Sequence, residues 1–270
     1  MPSPLIDPDE LRERLPAVTV LDVRYRLGAR NGRARYAADT SRAAYVDLDS
    51  DLADPPGAGG RHPLPSPDRF VAAMSTAGVR NDRPVVVYDD WSSLAAGRAW
   101  WLLRHYGHRD VRVLDGAWRG WLAAGGETET GEPSRPPGDF SGSPGSMPVV
   151  DADQVRAAGV LIDVRAPERF RGEVEPVDPV AGHIPGAVNV PLTVNLDEAG
   201  RFRDPGELAD TYAEAGAARG AEVTAYCGSG VTATQAVLAL ELAGVRAALY
   251  PGSWSGWITD PDRPVATGDV

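Results

Sequence analysis

Cys227 is the only cysteine in the chain, and Gly228-Ser229-Gly230-Val231-Thr232 follow it directly. A short apolar run from Glu222 to Tyr226 precedes it, and a helical pattern spans Thr232 to Ala243. The order is therefore strand, glycine-bearing loop, helix N-terminus. Two glycines let consecutive backbone N–H groups converge on one point, and the helix dipole adds partial positive charge there. An anion at that point is stabilised, either the thiolate of Cys227 or a sulfur species carried on it. A buried, inert cysteine is the plain alternative, and it has no need of a Gly-x-Gly turn opening a helix.

Several chemistries are disfavoured by what is missing. A lone cysteine makes no internal disulfide, builds no thiolate metal cage and leaves no Cys-x-x-Cys pair for exchange within the chain. Cysteine phosphatases place an arginine six residues after the nucleophile to grip phosphate through two nitrogens; that position is Ala233. A papain-like mechanism needs a histidine base, and His183, the only histidine in the same half, sits before Ile184-Pro185-Gly186 and reads as a structural residue at a turn.

The elements that must hold Cys227 occur twice. Val20-Leu21-Asp22-Val23-Arg24 returns as Leu161-Ile162-Asp163-Val164-Arg165, and the run Pro84 to Asp89 lines up with Glu222 to Cys227. Val113 to Trp121, carrying Gly116-Ala117-Trp118, corresponds to Leu249 to Trp257, carrying Gly252-Ser253-Trp254. A nearly constant offset in the same order marks a duplicated domain. In each half, short apolar runs (18–23, 84–88 and 111–114; 159–164, 222–226 and 247–250) predict strands. They alternate with helical patterns over 67–77, 94–106, 206–218 and 232–243, three of which end at Gly78, Gly107 and Gly244. Such alternation predicts an α/β fold, a parallel sheet flanked by helices in each half, with ligands at the carboxyl ends of the strands. The Gly/Pro/Ser-rich stretch Gly126 to Pro148 reads as a linker, giving domains at 1–125 and 149–270.

The 270 residues carry 27 basic and 38 acidic side chains, a net charge of −11, which argues against nucleic acid or an anionic membrane as partner. No apolar run is long enough to span a bilayer, and the N-terminus has neither a basic nor an apolar leader, so a cytoplasmic location is expected. No metal or cofactor is implied. The arginine-rich stretch from Arg24 to Arg42 reads as a solvated or interdomain face, with attraction of anionic substrate the lesser reading. Asp22, Arg24, Asp163 and Arg165, at strand ends, are expected to form internal ion pairs.

The two-copy layout, the loop Cys227 to Thr232, Gly182-His183-Ile184-Pro185-Gly186-Ala187, the Trp100-Trp101 pair and Gly252-Ser253-Trp254 together resemble the tandem rhodanese-domain sulfurtransferases over nearly the whole chain. The resemblance implies two rhodanese domains, each around a five-stranded parallel sheet, with only the second catalytic. Asp89 stands in the first copy where Cys227 stands in the second, and an aspartate carries no persulfide. The implied reaction is a two-step transfer. Cys227 takes a sulfane sulfur from 3-mercaptopyruvate or thiosulfate and passes it to cyanide or a thiol. The amides of Gly228, Ser229, Gly230, Val231 and Thr232 would hold the persulfide, with added bonds from the hydroxyls of Ser229 and Thr232; Thr232 also reads as a helix N-cap.

On the donor, the resemblance points two ways. The Gly-Ser-Gly loop is similar to that of mercaptopyruvate enzymes. The arginine pair that these use for the donor carboxylate is present at Arg169, but its second position falls at Val177, with Arg171 the nearest substitute. In the first copy, Asp39-Thr40-Ser41-Arg42 replaces a His-Ile-Pro-Gly. A persulfide carrier serving a partner protein, and less so a phosphatase on the same fold, are the rival functions.

Overall fold

The computed structural model describes residues 3–29, 31–133, 135–157 and 159–269. It divides into two compact units, unit 1 comprising residues 1–54, 64–147 and 198–202, and unit 2 comprising 55–63, 148–197 and 203–270.

In unit 1 the chain runs β1 (Leu5–Ile6), α1 (Pro8–Arg14), β2 (Thr19–Asp22), α2 (Gly32–Ala38), β3 (Ala44–Tyr45), α3 (Leu48–Asp51), α4 (Pro67–Thr76), β4 (Val85–Tyr88), α5 (Leu94–His105), β5 (Val111–Leu114) and α6 (Ala117–Ala123). The strands form one parallel sheet in the order β1-β5-β4-β2-β3. Every residue of β2 and β4 is buried, as expected of strands covered on both faces. Ile6, Leu11, Val20, Tyr36, Val86, Tyr88, Leu114, Trp118 and Trp121 form the core on one side.

Unit 2 contains α7 (Ala152–Val155), β6 (Val160–Asp163), α8 (Pro167–Phe170), β7 (Ala187–Asn189), α9 (Pro205–Glu214), β8 (Val223–Tyr226), α10 (Ala233–Leu242), β9 (Ala247–Leu249) and α11 (Ser253–Trp257). Its parallel sheet has four strands, β7-β6-β8-β9. The expected fifth strand is reduced to a single bridge, Val149 to Leu249, in which the Val150 N–H donates to Leu249 O at 3.0 Å. The three expected cap glycines all lie at positive φ and close their helices with paired bonds, as where Gly78 N–H donates to Ser75 O and Val79 N–H to Met74 O. Helix α9 stops at Glu214, short of the expected 218, because Gly216 at φ +81° caps it in the same way.

The duplication is visible in matched contacts. Asp22 pairs with Arg24, which stacks over Trp118 at 4.5 Å; Asp163 pairs with Arg165, which stacks over Trp254 at 4.9 Å. Tyr88 OH accepts from Ser41 N–H in one unit, and Tyr226 OH accepts from Ile184 N–H in the other. The stretch read as a linker is instead packed on unit 1. Glu129 N–H donates to Thr40 O, Gly138 N–H to Ser75 O and Phe140 N–H to Val79 O, with the Phe140 ring buried edge-on against Phe70. One aromatic and a few backbone bonds anchor a segment whose composition marks only a loop.

The arginine-rich stretch is neutralised within unit 1. Arg24 pairs with Asp22 and Asp39, Arg26 and Arg35 with Asp90, Arg33 with Glu132 and Arg42 with Glu129; Arg30 lies outside the described residues. Among its described residues the stretch presents no free cationic patch for a substrate.

Candidate active site

Unit 2 brings Cys227 to the carboxyl end of β8, where the chain turns into α10. The side chain is 1 % exposed, and its sulfur accepts the Gly230 N–H at 3.2 Å. Gly230 adopts φ +76°, and a Cβ there would stand 2.2 Å from Pro251 O. Gly230→Ala is therefore expected to lower stability by at least about 2 kcal/mol and to displace the sulfur's amide partner, checked by thermal unfolding and persulfide yield. Among the described residues the amides of Gly228, Ser229, Val231 and Thr232 donate to no protein group, which leaves four N–H groups on the loop for a ligand anion.

The first copy shows what such a loop does with an anion. Asp89 lies at the end of β4, fully buried, and each carboxylate oxygen accepts two backbone N–H groups: Oδ1 from Trp91 and Ser93 at 2.8 and 2.9 Å, Oδ2 from Ala95 and Ala96 at 2.8 and 2.9 Å. Trp118 N–H donates to Asp89 O at 2.8 Å, and Trp254 N–H to Cys227 O at 2.9 Å, so the two positions are structural equivalents. Where the second copy has a thiol and open amides, the first has filled the same turn with its own carboxylate.

Thr232 occupies the N-cap position of α10, but its side chain makes no capping bond. Its backbone is already helical (φ −74°, ψ −21°), whereas a capping hydroxyl works from an extended residue. Ser229 has a partner that sequence reasoning missed: its Oγ shares a 2.8 Å hydrogen bond with Nδ1 of His62. Ser253, in the Gly252-Ser253-Trp254 motif, stands at φ +51°; its hydroxyl accepts the Cys227 N–H at 3.1 Å and lies 3.9 Å from the sulfur. Its counterpart in the first copy is Ala117, which has no hydroxyl.

Arg169, on α8, faces the loop, and so does Arg61, the second residue missed. A Cβ on Gly228 would lie 3.0 Å from Arg61 Nη2 and 3.7 Å from both terminal nitrogens of Arg169. A second guanidinium is thus present beside the cysteine loop, from residues 55–63 rather than from position 177. Val177 is exposed and its N–H is spent on Glu175; Arg171 turns away to pair with Glu173 at 2.7 Å. The only available signal for Arg61 and His62 was an arginine next to a histidine inside a glycine- and proline-rich run without apolar periodicity, Gly57 to Pro65.

Two carboxylates hold the arginines. Glu175 accepts from Arg169 Nη2 at 2.7 Å and from the amides of Val177 and Asp178 at 3.0 Å. Burial pushes its carboxyl up, but these donors outweigh burial and hold it below the usual carboxylate range. Asp178 pairs with Arg61 through Oδ1 and lies 3.3 Å from Arg169 Nη2 through Oδ2; here burial outweighs the neighbouring cations and raises the carboxyl. His183 is structural: Nδ1 bonds to Phe170 O at 2.8 Å and the ring stacks on Phe170. Among the described residues no group of three or more His, Cys, Asp or Glu side chains is placed to hold a metal, and no helix is long and apolar enough to cross a membrane.

The profile of the rhodanese-like domain matches residues 7–124 and 150–260. The chain is 46% identical over 259 residues to a Mycobacterium tuberculosis protein named "Putative thiosulfate sulfurtransferase SseB", covering 93% of this chain and 91% of that one. It is also 46% identical over 279 residues to the "Probable 3-mercaptopyruvate sulfurtransferase" of Pseudomonas aeruginosa, covering 98% of each. Among solved structures, the 3-mercaptopyruvate sulfurtransferase from Leishmania major superposes with a TM-score of 0.85 at 30% identity, over 94% of this chain and 74% of that one.

Proposed function

Because the chain belongs to the rhodanese family of sulfurtransferases and carries the domain twice, we propose that unit 2 alone transfers sulfur, through a persulfide on Cys227. The observation that carries this reading is the pair of equivalent turns. The Asp89 turn binds a resident anion with four amides, and the Cys227 turn offers open amides beside a thiol. A terminal persulfide sulfur on Cys227 is the anion for which that second turn is preorganised.

With thiosulfate, the Cys227 thiolate attacks the outer sulfur, the S–S bond breaks and sulfite leaves with the electron pair. With 3-mercaptopyruvate the C–S bond breaks, sulfur stays on Cys227, and the carbon left behind takes a proton to become pyruvate. Cyanide or a thiolate then removes the outer sulfur and returns the Cys227 thiolate. Arg61 and Arg169 supply the positive charge that receives the donor's anionic group over Gly228. The relatives' names are divided between the two donors, and the carboxylate-sized spacing of two guanidiniums favours 3-mercaptopyruvate. A free catalytic thiol fits a reducing compartment, so we place the reaction in the cytoplasm.

The His62–Ser229 pair sits beside the loop and can deliver the proton that only the carbon leaving group needs. His62→Ala is expected to lower kcat with 3-mercaptopyruvate by about 100-fold and with thiosulfate far less, the size expected for loss of one general acid. Equal losses with both donors would remove His62 from proton delivery. The reading as a whole is tested by incubating the enzyme with each donor in the absence of acceptor. Intact mass should rise by one sulfur atom, and cyanide should discharge it as thiocyanate. No added sulfur with either donor sinks it, and a stable persulfide discharged only by a partner protein would favour a carrier.

A further inference from the structure

The arginine pair is already occupied before any donor arrives. Asp178 places one oxygen on Arg61 and the other on Arg169, the same two-cation bridge that a donor carboxylate would make. Its side chain is only 3% exposed. Glu175 is a fixture by comparison, tied to two backbone amides as well as to Arg169. Arg61 Nε is buried with no acceptor among the described residues, an N–H that an incoming anion would satisfy. Arg165 also touches Glu175, at 3.5 Å, and pairs with Asp163, so the local count is three guanidiniums against three carboxylates and the subsite is electrically neutral.

We infer that Asp178 is a built-in competitor for the donor's place, and that it sets donor selectivity by charge, favouring a monoanionic carboxylate donor over a dianionic one. The inference rests on the reading of Arg61 and Arg169 as the donor's anion subsite. A donor must displace Asp178 from at least one arginine, and the carboxylate, held nearby by its backbone, then repels the bound anion. The repulsion scales with ligand charge. A unit charge at about 5 Å changes anion affinity about fourfold even under water-like screening, so removing it helps a monoanion about fourfold and a dianion by the square, about sixteenfold. 3-Mercaptopyruvate is the monoanion and thiosulfate the dianion.

The test is steady-state thiocyanate formation by wild type, Asp178→Asn and Asp178→Ser, with both donors at constant ionic strength. The expected result is a fall in KM with both donors, larger than any change in kcat, and about fourfold larger for thiosulfate than for 3-mercaptopyruvate. Inert sulfate should become a better competitive inhibitor in both variants, and Arg61→Gln should erase the gain when combined with Asp178→Asn. Unchanged or raised KM overturns the inference, and so does an equal fall with both donors, because a loosened site does not count charges. Failure of both variants to fold also overturns it, by assigning Asp178 to the scaffold. If wild type turns over neither donor, the sulfurtransfer reading falls. The inference is then read from sulfate alone, which should raise the Tm of Asp178→Asn at lower concentration than that of wild type, and the absence of that difference would overturn it.

Discussion

Cys227→Ser is expected to abolish thiocyanate formation with both donors, by at least about 10⁴-fold, the scale on which removal of a catalytic nucleophile acts. The loss is chemical. Serine keeps the small polar side chain that the Gly230 amide and Ser253 meet, so β8 and the turn into α10 stay in place. A hydroxyl at that position is not ionised near neutral pH and forms no O–S bond able to pass sulfur onward. The variant should therefore unfold like wild type, gain no mass from either donor and still bind donor anions between Arg61 and Arg169. Residual turnover within tenfold of wild type would move the nucleophile elsewhere, and the chain has no second thiol to receive it.

The second large effect lies in the half without the cysteine. Asp89→Asn keeps the shape of the side chain but replaces one carboxylate oxygen by an NH₂ group, so two of the four converging amides lose their acceptor inside a buried turn. Each unsatisfied buried donor costs about 1–3 kcal/mol, so unit 1 should lose about 4 kcal/mol of stability. In a domain of this size that is a fall of about 10 °C in its unfolding midpoint, measurable by calorimetry. A loss below about 1 kcal/mol would mean that the turn holds its shape without the anion. The same loop would then be a scaffold with no binding energy of its own, which would weaken the parallel drawn for Cys227.

Much of this was legible along the chain, and the parts that were not share a cause. Val111–Leu114 is a strand over the expected residues, and Pro84 falls just outside β4 because it has no N–H to give the ladder. The short elements, such as β1 with two residues and α8 with four, have too few turns of pattern to register. Cys227 announced itself because its loop is local: strand, glycines and helix are consecutive. Arg61 and His62 act on Gly228 and Ser229 from more than 160 positions away, and a single sequence carries no signal at that separation. The arginine pair was sought at Val177 by resemblance, while the second guanidinium came from another segment of the chain.

That origin bears on how the protein can be divided. The second copy, taken as a stretch of gene from position 148 onward, encodes Cys227, the amide turn, Arg169 and Asp178, but neither Arg61 nor His62. Residues 55–63 cluster with unit 2, where Arg61 N–H donates to Ser255 Oγ and Thr259 Oγ1 donates to Ala58 O, although they are encoded inside the first repeat. The inheritable module and the working module are thus different sets of residues. A first copy whose own turn carries Asp89 instead of a cysteine still supplies, in its reading frame, two side chains that lie against its sister's cysteine loop.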